Sequence, residues 1–340
     1  MPKRWRRLVK IFFLAFSAGS LTGCADILSN GILGFIMPPS NQVQPAYGVP
    51  QPEYAVPLYG APYESPPPQV KYGVPWSGTE PFTLLPGSDA LAQALSNPTG
   101  LAIRSDGTIG LSDSGKCVFL INETASEATA SLLVSPSDLA ADTNGWILAD
   151  GNQILRLQAG TATVLADSFN APQGVAVASG SIVVADTGNH QLKRLDSEGN
   201  VTVLAGESQV QSPNALAIAD DGTIYFCDTH AVKKWKDGIV ETVAGGTLGF
   251  SGDGGPAKDA RLNTPRGLAL DAANRLFVAD TGNHRVRVID LETGEIASLN
   301  ADASPSWDGT FQYFDALKDL VFRNNALYVL DGKRLWRAKP

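Results

Sequence analysis

Residues 264–290 read TPRGLALDAANRLFVADTGNHRVRVID. A proline opens the stretch, followed by GLAL and a polar turn at Asp271–Asn274. The apolar run LFVA then ends on Asp280, the turn TGNH follows, and RVRVI alternates. Short β-prone runs bounded by Asn, Asp and Gly read as three strands joined by two tight turns. In the second turn Gly282 is expected to supply φ > 0, with Asn283 tolerating it. Asp280 is expected to bond its own downstream N–H groups and fix the turn.

The same pattern recurs along the chain. Pro98 opens PTGLAIRSDGTIGLSDSGKCVFLI, Pro136 opens PSDLAADTNGWILADGNQILRL, and Pro172 opens PQGVAVASGSIVVADTGNHQLKRLD. Pro213 opens PNALAIADDGTIYFCDTHAVKKW, and a final copy, LKDLVFRNNALYVLDGKRLWRA, has Leu317 in place of the proline. The aspartate closing the second strand runs through all copies as Asp113, Asp150, Asp186, Asp228, Asp280 and Asp331, spaced by about 36 to 52 residues. A period of that size with three or four strands per unit signals a β-propeller. The expectation is an all-β, six-bladed propeller over residues 79–340 with four-stranded blades. The runs 161–166, 201–206 and 241–246 are expected to be outer strands. Second strands that read IVVA and LFVA without alternation fit sheets buried on both faces. Residues 80–85 are a lone apolar strand, expected to complete the last blade and so protect its edge.

Pro-x-Gly-Leu-Ala, an LFVAD-type strand and TGNHRV together resemble the NHL repeat, a family that builds six-bladed propellers. The resemblance rests mainly on residues 172–206 and 265–290 and covers roughly 79–340. FSGDGGPA at 250–257 resembles bacterial and teneurin-like NHL domains.

The N-terminal part is different. Lys3, Arg4, Arg6, Arg7 and Lys10 precede a short apolar run, Ile11 to Ser20, and then Leu21-Thr22-Gly23-Cys24. The apolar run is too short to span a bilayer as a helix and reads as a signal peptide over 1–23. The sequence around Cys24 resembles a bacterial lipobox, which implies lipidation of Cys24. By resemblance to Gram-negative sorting rules, Ala25 favours the outer membrane. Residues 24–78 read as a lipid-anchored, Pro/Tyr-rich disordered linker. Residues 38–75 hold half of the chain's 22 prolines, interleaved with Tyr47, Tyr54, Tyr59, Tyr63 and Tyr72. Proline removes donors and favours polyproline II, so about 40 residues reach on the order of 120 Å when extended.

In a propeller the start of each inner strand lines the channel mouth. The residue after each opening position is Thr99, Ser137, Gln173, Asn214, Arg266 and Lys318. One residue later, units one, three and five carry Gly, unit four carries Ala215, and units two and six carry Asp138 and Asp319. Asp138, Gln173, Asn214, Arg266 and Asp319 are therefore the candidate ligand-binding residues. The two carboxylates are expected either to hold a hard cation or polar ligand through oxygen, or to pair with Lys318, Arg266 or backbone amides. The glycine-rich insertion 246–263 is expected to lie over this mouth. It lacks a P-loop's Gly-Lys-Ser/Thr ending. The three histidines, His190, His230 and His284, occupy one turn in three consecutive units and are expected to make turn or inter-blade contacts rather than ligate a metal. Cys117 and Cys227 belong to units one and four, on opposite sides of a ring, so no disulfide between them is expected.

A net charge of −8 together with an export signal argues against nucleic acid, which demands clustered Lys and Arg. No catalytic set, metal set or cofactor motif declares itself. The favoured reading is a cell-envelope binding module for a protein, peptide or glycan. The alternative is a metal-dependent lyase or lactonase-like enzyme using the channel mouth.

Overall fold

The computed structural model describes residues 81–339, apart from 87–91, 93, 114–116, 123, 129–132, 144, 179, 300–304 and 307–312. The signal segment, Cys24 and the Pro/Tyr-rich linker lie outside the described residues.

Among the described residues the strands form six antiparallel sheets. Sheet one comprises Pro98–Ile103, Ile109–Asp113, Cys117–Asn122 and Thr124–Ala128. Sheet two comprises Pro136–Asp142, Gly145–Asp150, Gln153–Gln158 and Thr161–Ala166. Sheet three comprises Gly174–Ala178, Ser181–Asp186, Gln191–Leu195 and Val201–Ala205. Sheet four comprises Pro213–Ile218, Ile224–Asp228, Ala231–Lys236 and Ile239–Gly245. Sheet five comprises Gly267–Leu270, Arg275–Asp280, Arg285–Asp290 and Glu295–Leu299. Sheet six comprises Leu317–Arg323, Ala326–Asp331 and Arg334–Ala338, with Thr83–Leu84 as its outer strand. Thr83–Leu84 apart, the strands of each follow one another as a meander, because chain neighbours joined by short turns pair most readily.

The inner strand of each sheet lies beside the inner strand of the next, and that of sheet six lies beside that of sheet one. The sheets therefore close on themselves as an all-β propeller. The core is divided accordingly into six clusters, one at each junction of consecutive sheets. Leu139, Trp146 and Leu148 pack with Ala102 between sheets one and two. Phe226 packs with Ala185 and Leu192 between sheets three and four. Leu330 and Leu335 pack with Leu101 and Leu111 between sheets six and one. A second strand covered on both faces has no solvent side, which is why Ile224–Asp228 is buried at every position. Burying a Phe or Leu in this way contributes about 1.5–3 kcal/mol each.

Thr83 and Leu84 pair with Arg337 and Trp336, and the Leu85 amide donates to the Leu335 carbonyl at 3.0 Å. Phe82 is buried, its ring edge-on to Phe314 at 5.4 Å. The start and the end of the propeller thus share one sheet. In sheet five the free edge of Glu295–Leu299 is covered by two-residue strands, Gly255–Pro256 and Pro305–Ser306. A proline in each of these short strands blunts further pairing.

Two turn expectations are corrected. In both TGNH turns the residue with positive φ is the histidine, φ 55 at His190 and φ 58 at His284. Gly188 and Gly282 are present for space instead. A Cβ on Gly282 would lie 2.3 Å from Asn263 Cγ, and one on Gly188 would lie 2.7 Å from Asn170. Those asparagines seal the approach, since Asn263 Nδ2 donates to the Gly282 carbonyl at 3.0 Å and Asn170 Nδ2 to that of Gly188 at 3.1 Å.

Asp186 and Asp280 also do not bond the backbone of the 3-10 turn that follows them, and meet that turn only through the Asn189 and Asn283 side chains, each donating at 2.8 Å. The closing aspartates reach back to the loop that leads into their own sheet. Asp113 accepts from the Ser96 and Asn97 amides at 2.6 and 2.7 Å. Asp150 accepts from Val134, Asp186 from Asn170, Asp228 from Ser212, Asp280 from Asn263 and Asp331 from Ala316. Each carboxylate clamps the incoming chain to the end of the second strand and satisfies amides that precede the inner strand.

Candidate functional site at the channel mouth

The inner strands of all six sheets line one cavity of about 250 Å3, reaching from Thr99, Ser137, Gln173 and Arg266 at one end to Ala141, Ile218 and Arg323 at the other. Of the predicted ligand residues, Asp138, Gln173, Arg266 and Asp319 line it. Asn214 is not among its lining residues. Its Oδ1 accepts the amide of the adjacent Ala215 at 2.8 Å, so a ligand oxygen expected there is already used within its own strand.

Gln173 and Arg266 are exposed, whereas Asp138 and Asp319 are half-buried with surface on the channel. The carboxylates are held by backbone. Asp138 Oδ2 accepts from the Val175 amide of sheet three at 2.9 Å. Asp319 Oδ2 accepts from the Leu101 amide of sheet one at 2.8 Å, and its Oδ1 accepts from Leu320 at 2.7 Å. Among the described residues, neither is joined to Arg266 or Lys318 by an ion pair. Of the protein partners open from the sequence, backbone amides rather than Lys318 or Arg266 engage the two carboxylates.

The glycines between them now have a reason. A Cβ on Gly100 would lie 2.5 Å from Asp138 Oδ1, and one on Gly267 would lie 2.8 Å from Asp319 Oδ1. Gly100 and Gly267 each precede an aspartate unit because the carboxylate takes the space of the preceding sheet's missing side chain and bonds the following sheet's amide. Burial raises both acids. Asp319 is pushed up to about 7. Asp138 is raised well above the usual carboxylate value by burial and then by the charge of Asp319, against the opposing pull of the Val175 and Leu139 amides.

Hydroxyls complete the rim. Thr99 Oγ1 donates to the Pro136 carbonyl at 3.2 Å, Ser137 Oγ to Pro172 at 2.6 Å, and Thr187 Oγ1 to Pro213 at 2.6 Å. Each joins one sheet to the opening proline of the next. The first two are visible in the sequence as hydroxyl residues following the proline. Thr187, in a turn, is not.

The histidines do related work. His190 Nδ1 meets the Gln211 carbonyl, His284 Nδ1 the Phe314 carbonyl at 3.1 Å, and His230 Nδ1 accepts from the Thr264 amide at 3.2 Å. Each contacts the loop entering the following sheet. Cys227 is a free, fully buried thiol whose pKa burial pushes up, with the charges of Asp319, Asp280 and Asp228 adding to the effect.

The insertion 246–263 is the largest correction. It contributes no residue to the channel cavity. It packs on sheet five, with Gly255–Pro256 paired to Glu295 and Ile296. The fully buried Arg287 holds it, with NH2 2.6 Å from Asp253 Oδ1 and donating to the Ser251 carbonyl at 3.2 Å, while NH1 donates to the Arg261 carbonyl at 3.3 Å. The Arg287 guanidinium also lies 3.7 Å from Asp280 and over the Phe250 ring. The glycines of FSGDGGPA serve packing: Gly252 has φ +92, and a Cβ there would lie 2.6 Å from Ala260 Cα.

Fold and site together define a β-propeller whose channel mouth is polar. The chain carries NHL repeats, with the NHL repeat model matching residues 169–195 and 262–289. Over 160 residues it is 33% identical to Protein SUPPRESSOR OF QUENCHING 1, chloroplastic, from Arabidopsis thaliana. The match covers 39% of this chain, and the chain spans only 15% of that relative's length. Among solved structures it is similar to an auxiliary nutrient binding protein from Bacteroides thetaiotaomicron, with TM-score 0.59 and 15% identity over 72% of this chain and 69% of that one. It is also similar to a gluconolactonase from Xanthomonas campestris, with TM-score 0.56 and 20% identity over 78% of this chain and 96% of the other. At such identities the likeness is one of fold.

Proposed function

We propose that this chain is a lipid-anchored binding propeller of a bacterial cell envelope, its six sheets forming six blades. On this reading Cys24 carries the lipid, the outer membrane is the favoured site, and a protein, peptide or glycan group is taken at the channel mouth through Gln173 and Arg266. One observation carries the reading: the carboxylates at the mouth are engaged by the backbone of neighbouring sheets, while the amide and guanidinium beside them stand exposed on the same cavity. A neutral hydrogen-bonding group next to a cation suits a carbonyl, hydroxyl or carboxylate on the ligand. The nutrient binding protein and the gluconolactonase share the fold alone with this chain, so the choice of binding rests on the mouth residues.

Peptide and glycan arrays probed with the labelled full chain test the reading. Arg266→Glu combined with Gln173→Ala is expected to lower binding at least about tenfold, the loss of roughly 1.4 kcal/mol. Glu198→Lys, in the turn between the last two strands of sheet three, should leave binding unchanged. Equal binding by wild type and the double variant would overturn the assignment of the mouth. Anchoring is tested separately. Cys24→Ser is expected to abolish incorporation of labelled fatty acid, and unchanged incorporation would show that another residue carries the lipid.

A further inference from the structure

The inner strand of sheet one runs between two carboxylates. Asp138 presses on Gly100 from sheet two, and Asp319 accepts the Leu101 amide from sheet six. Both acids therefore contact one dipeptide segment. Asp319 also fills the space beside Gly267 of sheet five, and Asp138 bonds Val175 of sheet three. The pair thus ties five of the six inner strands together. It does so around the seam where the last sheet of the chain meets the first. Sheet four has Ala215 at the equivalent position.

We propose that Asp138 and Asp319 act as one proton-holding pair across Gly100 and Leu101, a device that tightens the seam between sheets six and one in acid and relaxes it as the medium turns alkaline. Two carboxylates brought to one dipeptide segment cannot both ionise without cost. The groups facing them offer little compensation. From sheet one come the Leu101 amide and the Ser112 hydroxyl, from sheet three the Val175 amide, and from sheet five Gly267 with the exposed Arg266 next to it. Sheet four contributes Ala215, with the buried Cys227 thiol behind the inner strand. Lys318 adjoins Asp319 in sequence, without an ion pair to either acid among the described residues.

The direction follows from linkage. Both folded-state values lie above the ordinary 3.8, so the folded protein holds protons that the unfolded chain releases. The stabilising contribution is complete below about pH 4 and is lost as pH rises through about 7, the value reached by Asp319. Asp280 is raised in the same direction by burial, so the pair's share is read as the difference between wild type and variants at the pair.

The test is thermal unfolding of the full chain from pH 4 to 8.5, for wild type, Asp138→Asn and Asp319→Asn. The wild-type midpoint is expected to fall by on the order of 5 °C relative to the variants across that range. Carboxyl-carbon NMR of the wild type should show two aspartates titrating together well above 4. Amide protection factors, corrected for intrinsic exchange, are expected to drop about tenfold from pH 5 to 8 in the inner strands of sheets six and one, and to hold in sheet four. Identical pH slopes in wild type and variants would overturn the proposal. So would two carboxyls titrating independently near 3.8, or a loss of protection equal in all sheets. Should the asparagine variants fail to fold, the wild-type NMR titration decides alone.

Discussion

Arg287→Ala is expected to destabilise the propeller by about 3–5 kcal/mol, because removing one partner of a buried ion pair leaves an uncompensated charge. Arg287 has no exposed surface and meets two carboxylates, Asp253 at 2.6 Å and Asp280 at 3.7 Å. It also donates to the carbonyls of Ser251 and Arg261. Alanine would take the cation from Asp253 and Asp280 and a donor from the Ser251 and Arg261 carbonyls, and so release the 246–263 insertion from sheet five. Urea unfolding gives the magnitude, and limited proteolysis gives the place, with new cleavage expected within 246–263. Arg287→Met combined with Asp253→Leu should recover a large part of the loss, because an apolar pair of similar volume avoids the stranded charge. A loss under about 1 kcal/mol for Arg287→Ala would show that the insertion is held by its own packing.

Asp186→Ala is expected to cost a similar amount, about 3–5 kcal/mol, and for a related reason. Asp186 is fully buried, accepts the Asn170 amide at 2.7 Å and the Asn189 side chain at 2.8 Å, and lies 2.6 Å from Lys193 Nζ. Lys193 is itself almost wholly buried, over the Phe169 ring and donating to the Ser168 carbonyl. Asp331→Ala makes the comparison. Asp331 accepts the Ala316 amide at 2.6 Å and makes no ion pair among the described residues, so its loss should cost the smaller penalty of an unsatisfied amide, about 1–3 kcal/mol. Asp186→Ala with Lys193→Met should fall back toward that smaller value. Equal losses for Asp186→Ala and Asp331→Ala would show that Lys193 adds nothing.

These two residues also mark how far the chain can be read without its fold. The repeat is legible because each unit must make the same sheet, and Pro, Gly-Leu-Ala and the closing Asp fall in step. The strand at Thr83–Leu84 is legible because an apolar segment with no unit of its own needs an edge to join. The partner of each closing Asp is not. The carboxylate is expected to bond forward to backbone amides, as local chemistry allows, yet the amide it accepts lies back across a loop, as that of Asn263 does for Asp280, and forward it meets only the Asn283 side chain. Gly282 shows the same limit, since a glycine required for a neighbour's side chain looks in sequence like one required for φ. Arg287 stands in the alternating run RVRVI, where alternation implies an outward residue. An insertion beginning some 40 residues upstream covers it and turns that face inward. FSGDGGPA suggests a ligand loop because glycine-rich loops often are, whereas here its glycines let it lie flat on a sheet edge. At the mouth, Asp138, Gln173, Arg266 and Asp319 were legible from position alone, whereas Asn214 turned out to bond within its own strand. The division between aspartates consumed by the ring and a Gln–Arg pair facing outward required the ring itself.

On the proposed reading the ligand is taken at the channel mouth. Site-specific photocrosslinking in the host cell tests it most directly, with a photoreactive amino acid placed at Gln173, at Arg266 or at Glu198 of the full chain. One discrete adduct, of the same mass, is expected from positions 173 and 266, and none from 198. An adduct confined to position 198, or the absence of any adduct from both mouth positions, would contradict it.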